Sequence, residues 1–273
     1  HFSCGIAEQD MVSMAAGFTF QGYIPFINSF AVFLTNRAYD QIRIDLCYNN
    51  RNVKIICTHT GVTVGEDGAT AQSLEDIALM RVLPNMKVVV PVDAVQAAKF
   101  TRIFAETEGP MYMRNGRSAF PIITDPDHDI ELGKAQLMRR GNDVTIIACG
   151  IMVSEALSAA EKLAKDDIEA RVINMHTIKP IDEEAIRAAA EETGAIVTAE
   201  EHQIHGGLGS AVAEVVAQNS PCPMEMVAVK DSFGCSGKPD ELLTHFHLRD
   251  VDIVAAAKLA IKRRMKMGAV SSK

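Results

Sequence analysis

The sequence lacks several features that would point to common classes of protein. Its 273 residues include 27 Lys and Arg against 35 Asp and Glu, so the formal net charge is −8. A nucleic-acid binder needs a basic face to neutralise phosphates, and this charge balance argues against one. No apolar run reaches the ~20 residues that a membrane-spanning helix needs. The six cysteines contain no C-x-x-C pair, so the usual zinc and redox signatures are missing.

The composition that remains is that of a globular protein with a sizeable core. Hydrophobic residues make up 48% of the chain and charged residues 23%. Most cysteines sit in apolar runs and read as small buried hydrophobes, which makes a reducing, cytoplasmic setting the default expectation. The length suits one large domain or two ordinary ones. Because the chain opens with His1 inside a motif, we expect it to be a fragment that lacks its N-terminus.

Strand and helix patterns alternate along most of the chain, which predicts parallel sheets with helices on both faces. Predicted strands lie at 23–27, 53–57, 86–90, 111–114, 144–149, 170–175, 195–199 and 224–229. The first predicted helix begins at Glu8. Further helices are predicted at 30–48, 74–82, 93–106, 153–164, 182–192, 208–218, 239–246 and 250–266. Capping patterns mark two helix starts, Ser73 with Asp76 and Asp93 with Gln96.

A turn-rich polar stretch interrupts this alternation and divides the chain. We predict an α/β protein of two open doubly wound domains, at residues 1–124 and 144–267. Residues 125–143 would be the linker and 268–273 a disordered tail. Sites in such sheets lie beyond the carboxyl ends of the strands, so the loops at 58–71, 114–118 and 200–209 are the places to look.

The Gly-rich loop, residues 58–71, is the richest of these. It holds three glycines within eight positions, Gly61, Gly65 and Gly68, which permit backbone conformations closed to other residues. His59 and Asp67 could hydrogen-bond a polyhydroxylated ligand from two sides. A tight turn with solvated acids is an equally good interpretation of the same residues.

An acid stands just inside the first predicted helix, in Gly5-Ile6-Ala7-Glu8-Gln9. A first-turn Glu usually serves only the helix dipole. The alternative is a half-buried acid that faces a site and shares a proton with a ligand. This segment alone leaves both interpretations open.

Aromatic and basic residues provide further candidates. Phe30 and Phe33 are three apart and would share a helical face, as core residues or as a stacking platform for a flat ring. Arg37, Arg114 and Arg117 are candidates for gripping a phosphate, because the guanidinium fork fits phosphate oxygens. For at least one of the three we expect an ordinary solvated surface position.

A second glycine cluster, Gly206-Gly207-Leu208-Gly209-Ser210, opens a predicted helix. It is similar to a phosphate-cradling turn but does not match G-x-G-x-x-G. His202 and His205 lie beside it, either as ligands or, in the favoured interpretation, as part of a capped loop.

In this order, the motifs resemble those of the transketolase family. The segment from Gly5 to Gln9 matches the one that carries the family's catalytic glutamate. Phe30-Ala31-Val32-Phe33 matches its aromatic pair. Thr58-His59 and Gly65-Glu66-Asp67-Gly68 match its substrate loop, and Leu83-Pro84-Asn85 follows at the usual distance. The resemblance covers nearly the whole chain, as a pyrimidine-binding plus a C-terminal domain. It is closest to the C-terminal half of a split transketolase.

The resemblance implies thiamine diphosphate as cofactor. Glu8 would hydrogen-bond the aminopyrimidine ring nitrogen and activate the cofactor. Phe33 would stack on that ring with Phe30 beside it, and Asn36 stands where an aromatic often lies near the cofactor. A two-carbon ketol unit would pass from a ketose phosphate to an aldose phosphate, as in the pentose phosphate pathway.

The same resemblance assigns the substrate contacts. His59 would be catalytic and touch the substrate, and Asp67 would bind a sugar hydroxyl. Arg114 is the first choice for the sugar phosphate, with Arg37 and Arg117 next. Ala71 stands where many members have a His.

The sequence contains no G-D-G…N segment of the kind that holds the diphosphate through a metal. The resemblance therefore implies an N-terminal partner subunit that supplies this site with Mg²⁺ or Ca²⁺, a paired heterotetramer, and inactivity of this chain alone. A 1-deoxyxylulose-5-phosphate synthase is a close alternative, and a 2-oxoacid dehydrogenase β chain is a more distant one. A non-catalytic or regulatory subunit is the alternative from another class.

Overall fold

The computed structural model describes residues 1–271, with side chains described for residues 1–267. These residues form two five-stranded sheets, each mostly parallel and flanked by helices. The α/β prediction with two open, mostly parallel sheets is therefore confirmed. Within residues 1–271, no helix is both long enough and apolar enough to span a membrane.

The first sheet is built mainly from the first half of the chain. Its strands are β1 (Phe26–Phe30), β2 (Lys54–Thr58), β3 (Lys87–Val89), β4 (Met111–Arg114) and β8 (Thr177–Lys179), in the order β1-β2-β4-β3-β8. Pairing is parallel except between β3 and β8. The α-helices of this half are α1 (Glu8–Thr19), α2 (Tyr39–Gln41), α3 (Asp76–Arg81) and α4 (Ala94–Glu106). π-Helical turns cover Phe33–Arg37 and Ile42–Tyr48, and a 3₁₀ segment covers Val62–Asp67.

The second sheet comes from the second half. Its strands are β5 (Gln136–Arg139), β6 (Val144–Ala148), β7 (Ala170–Asn174), β9 (Ile196–Gln203) and β10 (Met224–Val229), in the order β10-β9-β6-β7-β5. The helices are α5 (Met152–Ala164), α6 (Glu183–Thr193), α7 (Leu208–Gln218), α8 (Pro239–His245) and α9 (Asp250–Ser271). Every residue of the central strand β6 is buried, as expected for a parallel strand covered on both faces.

Two short strands were not predicted. β5 lies inside the stretch that we expected to be a linker and pairs antiparallel with β7. β8 belongs to the second half of the chain but pairs with β3 at the edge of the first sheet, so it connects the two halves of the chain. Both strands form by pairing with strands that are distant in sequence, β5 with β7 and β8 with β3. Neither has a strong local pattern, so the sequence alone did not predict them.

Several element boundaries also differ from the predictions. Phe30 ends β1 and does not lie in a helix, so it shares no helical face with Phe33. Helix α9 runs to Ser271, past the start of the predicted tail, and residues 272–273 lie outside the described part of the chain.

The two capping predictions have opposite outcomes. Asp93 caps α4, accepting a hydrogen bond from the Gln96 backbone N–H at 2.9 Å, as predicted. The prediction that Ser73 caps a helix is wrong, because α3 begins without a side-chain cap. Asp76 is buried instead and accepts a hydrogen bond from the Tyr112 hydroxyl at 2.6 Å.

Candidate active site

The carboxyl ends of β1, β2 and β4 meet at one edge of the first sheet. Phe30 pairs with Thr58 across the first two strands, and Cys57 pairs with Arg114 across the next two. His59 and the Gly-rich loop follow directly after β2. Because parallel strands present their carboxyl ends on one side, most of the predicted site residues gather at this edge.

Glu8 is the first residue of α1 and is almost completely buried, with 5% of its surface exposed. Arg37 donates a hydrogen bond from Nη1 to Glu8 Oε2 at 2.7 Å. The other carboxylate oxygen, Oε1, accepts no hydrogen bond from the part of the chain that the structure describes. Burial of this degree exceeds what a helix-dipole role needs, since a dipole partner can stay solvated. The acid is therefore better explained as a residue that faces a site.

Three rings form a continuous aromatic stack beside this acid: Phe33, Phe30 and His59. Phe33 and Phe30 are 5.5 Å apart between centroids with their planes 9° apart. Phe30 and His59 are 3.5 Å apart at 11°. The Arg37 guanidinium lies over the Phe33 ring at 5.0 Å from its centroid. The stack thus links Glu8 to the Gly-rich loop.

His59 adopts a left-handed backbone conformation, with φ at +59°. That conformation is uncommon for a residue with a side chain, and such strain clusters at functional sites. Burial lowers the pKa of His59; Arg117 lowers it further, and Asp67 opposes both. The imidazole is therefore neutral at neutral pH and can both donate and accept a hydrogen bond.

Asp67 and Arg117 lie close to His59 at the far side of the Gly-rich loop. Arg117 donates a hydrogen bond from Nη1 to the Val64 carbonyl at 2.7 Å. The same nitrogen is 3.8 Å from carboxylate oxygens of both Glu66 and Asp67. Arg117 and Asp67 keep about two fifths of their side-chain surface exposed, at 42% and 40%. Both can therefore reach a ligand.

Arg114 is placed differently from what we expected. It is buried, its Nε donates to Asp76 Oδ2 at 2.9 Å, and its Nη2 donates to the carbonyls of Glu201 at 2.9 Å and Ser73 at 3.4 Å. Burial disfavours its charge, but Asp76 and Glu201 outweigh that effect and raise the pKa of Arg114. Because its guanidinium is buried and hydrogen-bonded within the protein, Arg114 is not placed to bind a phosphate. Arg117 is the better candidate for that role.

Arg37 and Asn36 complete the predicted set. Arg37 is paired with the Glu8 carboxylate and lies over the Phe33 ring, so its position does not suit a substrate phosphate. Asn36 is next to it on the π-helical turn and donates from Nδ2 to Glu75 Oε1 at 2.7 Å. Its Oδ1 accepts a hydrogen bond from the Thr35 hydroxyl at 2.9 Å. The amide is thereby held in one orientation near the aromatic stack.

The second glycine cluster is filled by the protein itself. Glu200 places its carboxylate at the start of α7 and accepts hydrogen bonds from the N–H groups of Leu208 at 2.7 Å and Gly209 at 2.8 Å. An anion at this helix N-terminus is favourable, and here it is a side chain. The phosphate-cradling interpretation is therefore wrong. His202 is buried beside Glu200, with its Nδ1 2.8 Å from the Gln203 carbonyl, which agrees with the capped loop.

Sequence reasoning missed Glu201, which reaches from β9 into the Gly-rich loop. Its Oε1 accepts a hydrogen bond from the Thr63 backbone N–H at 2.5 Å. Glu201 is buried, and burial raises the pKa of its carboxyl. The available signal was the pair of adjacent acids, Glu200 and Glu201, directly after the mostly apolar residues 195–199, since a buried acid needs a partner.

Fold and site together define an α/β protein of two doubly wound sheets. At the carboxyl edge of the first sheet lie a buried acid, an aromatic stack and a His–Asp–Arg group. Comparison with known proteins agrees. The family model of the transketolase pyrimidine binding domain matches residues 1–122, and that of the transketolase C-terminal domain matches residues 133–253. The chain belongs to the transketolase family.

Individual relatives cover most of the chain. It is 45% identical over 261 residues to the 6-deoxy-6-sulfo-D-fructose transketolase subunit SqwH of Clostridium sp. (strain MSTE9), covering 95% of this chain and 81% of that protein. It is 41% identical over 261 residues to a subunit of the apulose-4-phosphate transketolase of Phocaeicola vulgatus (strain ATCC 8482), covering 95% and 83%. A solved split gene transketolase, an inactive β4 tetramer, superimposes with a TM-score of 0.91 at 47% identity, covering 96% of this chain and 84% of that one.

The family implies thiamine diphosphate, and the residues of this chain fit one end of it. A flat ring with a basic nitrogen needs a carboxylate on its edge and an apolar face beneath it. Glu8 offers a buried carboxylate with one oxygen still available, and Phe33 offers the adjacent ring. Among the described residues, no group of three or more His, Cys, Asp or Glu is arranged to hold a metal ion.

Proposed function

We propose that this chain is the aminopyrimidine-binding subunit of a split, thiamine diphosphate-dependent transketolase. It would transfer a two-carbon ketol unit from a ketose phosphate to an aldose phosphate. The observation that carries this proposal is the buried Glu8 carboxylate, with Oε1 available, beside Phe33. Membership of the transketolase family supports the same assignment.

Glu8 and its neighbours would prepare the cofactor. When bound, thiamine diphosphate supplies a nucleophilic carbon that carries the two-carbon unit between sugars. Glu8 would hold a proton between its Oε1 and the ring nitrogen, while Arg37 holds Oε2 and keeps the carboxylate oriented. Phe33 would support the ring face, with Phe30 behind it and Asn36 at the side. A ring held in this way would shield the shared hydrogen bond from water, which would strengthen that bond.

The Gly-rich loop would receive the sugar. Neutral His59 can donate to or accept from a reacting oxygen, and the Asp67 carboxylate can accept a hydrogen bond from a sugar hydroxyl. Arg117 would bind the terminal anionic group, because its guanidinium is partly exposed next to this loop. Two relatives are named for sugars that carry a sulfo or a phosphate group. An anion at the end of the sugar is therefore the feature that we expect the substrates to share.

A partner chain would complete the enzyme. We infer that an N-terminal transketolase subunit supplies the diphosphate site with Mg²⁺ or Ca²⁺, and that two such pairs assemble. Two relatives are named as subunits, and the solved split gene transketolase is an inactive β4 tetramer. Those names support the proposal that this chain, too, works only in a complex.

The test is an activity assay on the chain mixed with its candidate partner, thiamine diphosphate and magnesium. Xylulose 5-phosphate plus ribose 5-phosphate should be turned over by the mixture and by neither chain alone. Turnover of pyruvate plus glyceraldehyde 3-phosphate instead would identify a 1-deoxyxylulose-5-phosphate synthase. A mixture that binds the cofactor but acts on neither pair would favour a regulatory subunit and contradict the proposal.

A further inference from the structure

The Gly-rich loop is held at its start by the second sheet. Glu201 of β9 accepts a hydrogen bond from the Thr63 N–H at 2.5 Å. Gly61 has φ at +77°, and a Cβ on it would overlap the Glu201 carboxylate. The loop can therefore approach this acid only because glycine stands at that position. The start of the loop is set by a residue that is far away in sequence.

Gln72, which directly follows the loop, links it a second time to the second half of the chain. This side chain is buried, with 3% of its surface exposed. Its Nε2 donates hydrogen bonds to the carbonyls of Val62 and Cys235, both at 3.0 Å. Its Oε1 is buried and has no hydrogen-bond partner among the described residues. One amide thus joins the 3₁₀ segment Val62–Asp67 to the segment at residues 234–239, which leads into α8.

Glycines make this contact tight on both sides. A Cβ on Gly234 would overlap the Gln72 amide oxygen, and a Cβ on Gly68 would overlap the Ser236 hydroxyl. A Cβ on Gly65 would lie 3.4 Å from Pro239 Cδ. Packed surfaces of this kind transmit a displacement and do not absorb it. A shift of the 234–239 segment must therefore move the loop.

The loop backbone in turn decides where Asp67 lies. Asp67 is the last residue of the 3₁₀ segment, and its carboxylate is 3.8 Å from the nearest Arg117 nitrogen. That separation exceeds a hydrogen bond. The carboxylate position thus depends on the loop backbone, which Glu201 holds at Thr63 and Gln72 holds at Val62.

We propose that Gln72 is a positioning residue for the sugar substrate. Through its bond to the Cys235 carbonyl, the 234–239 segment sets the position of the loop that carries Asp67, and so the affinity for the sugar. This inference rests on the proposed function of the Gly-rich loop. It gives the C-terminal half of the chain an indirect part in substrate binding, because none of the residues at 234–239 is assigned a contact with the substrate.

The sharpest test is Gly234→Ala in the complex with the partner chain. The φ of Gly234 lies outside the left-handed region, so the added methyl group strains no backbone and acts only by pushing on Gln72. A displaced contact of about 1 Å can cost up to ~100-fold, and we expect the KM for the ketose to rise about tenfold. The kcat and the Kd for thiamine diphosphate should change little. Gly17→Ala is the matched control, because nothing lies within 4 Å of its Cβ position.

A second variant separates positioning from general packing. In a Gln72→Ser background the short side chain leaves room for the methyl group. Gln72→Ser alone should raise the KM, and adding Gly234→Ala should then change it less than twofold, since both changes act through one contact. Equal effects of Gly234→Ala with and without Gln72 would overturn the inference, and so would an unchanged KM in Gly234→Ala.

Hydrogen exchange keeps this test independent of the activity. Gly234→Ala should speed exchange of the amides at 63–68 and leave those of β2 and β4 unchanged, whether or not the complex turns over sugars. An inactive wild-type complex would contradict the proposed function while the exchange result still reports the link through Gln72. Unchanged exchange at 63–68 would overturn the link itself.

Discussion

Arg37 donates a hydrogen bond to Glu8 Oε2 at 2.7 Å and lies over the Phe33 ring at 5.0 Å. One guanidinium therefore joins the start of α1 to the π-helical turn that follows β1. The pairing leaves Oε1 of Glu8 as the available carboxylate oxygen. Arg37, a candidate for phosphate binding on sequence grounds, is better explained as the residue that orients Glu8.

Replacement of Arg37 tests that orienting role. Arg37→Gln in the complex should raise the Kd for thiamine diphosphate by up to about fivefold, because partly exposed ion pairs contribute roughly 0.2–1 kcal/mol. Isothermal titration calorimetry measures this change directly. Arg43→Gln, at an exposed position six residues on, is the control. Tighter cofactor binding by Arg37→Gln would show that Arg37 competes with the cofactor instead of orienting Glu8.

Arg114 should matter for stability. Arg114→Leu removes the ion-pair partner of Asp76, which is fully buried and accepts a hydrogen bond from the Tyr112 hydroxyl. Loss of one partner of a buried ion pair costs about 3–5 kcal/mol, and denaturant titration should show a decrease of that size in the free energy of unfolding. Near-normal stability together with weak binding of phosphorylated sugars would restore Arg114 as the phosphate residue.

Arg117 should show the opposite behaviour. Arg117→Ala should change the free energy of unfolding by less than about 0.5 kcal/mol from the wild-type value, because Arg117 is a partly exposed surface residue. The KM for a sugar phosphate should rise by about 10- to 100-fold, which corresponds to the ~1.5–3 kcal/mol of a charged hydrogen bond. The same sugar without its phosphate is the control, and its KM should change little on Arg117→Ala. An equal loss for both sugars would exclude phosphate recognition by Arg117.

His176 should make the fold sensitive to acid. Burial lowers the pKa of this residue to about 4 from its ordinary 6.5, against a smaller opposing effect of Asp182. Between these values the unfolded chain binds a proton that the folded chain does not, so stability falls as pH falls from 6.5 towards 4. The decrease should reach about 3 kcal/mol. His176→Gln should flatten this part of the stability profile, measured by denaturant titration at each pH, and an unchanged slope would contradict the assignment.

Sequence reasoning succeeded where the signal was local. The alternation of apolar strands and amphipathic helices predicted the α/β class, and the Asp93–Gln96 capping box marked the start of α4. Glu8, His59 and Asp67 stand within short motifs, and the structure places each at or beside the same sheet edge. The lone strand β8 escaped notice because three residues carry too little pattern, and its partner β3 is remote in sequence.

The same reasoning failed where long-range pairing decides a side chain's role. Arg114 and Arg117 look alike in sequence, yet only Arg114 finds a buried carboxylate, Asp76, which lies 38 residues away. Glu200 fills the helix start that we considered for a phosphate. Neither contact has a local signal, because burial and partner choice depend on how the two sheets pack.

Glu8→Gln tests most directly whether Glu8 activates the cofactor. Gln keeps the size of the side chain but cannot hold the proton shared with the ring nitrogen. In the complex with the partner chain, calorimetry should show that thiamine diphosphate still binds. The kcat should fall at least ~100-fold, as expected for loss of an essential acid–base group. Glu161→Gln, which removes an exposed carboxylate on α5, should keep most of the activity and serves as the control. Near wild-type turnover by Glu8→Gln would contradict the account.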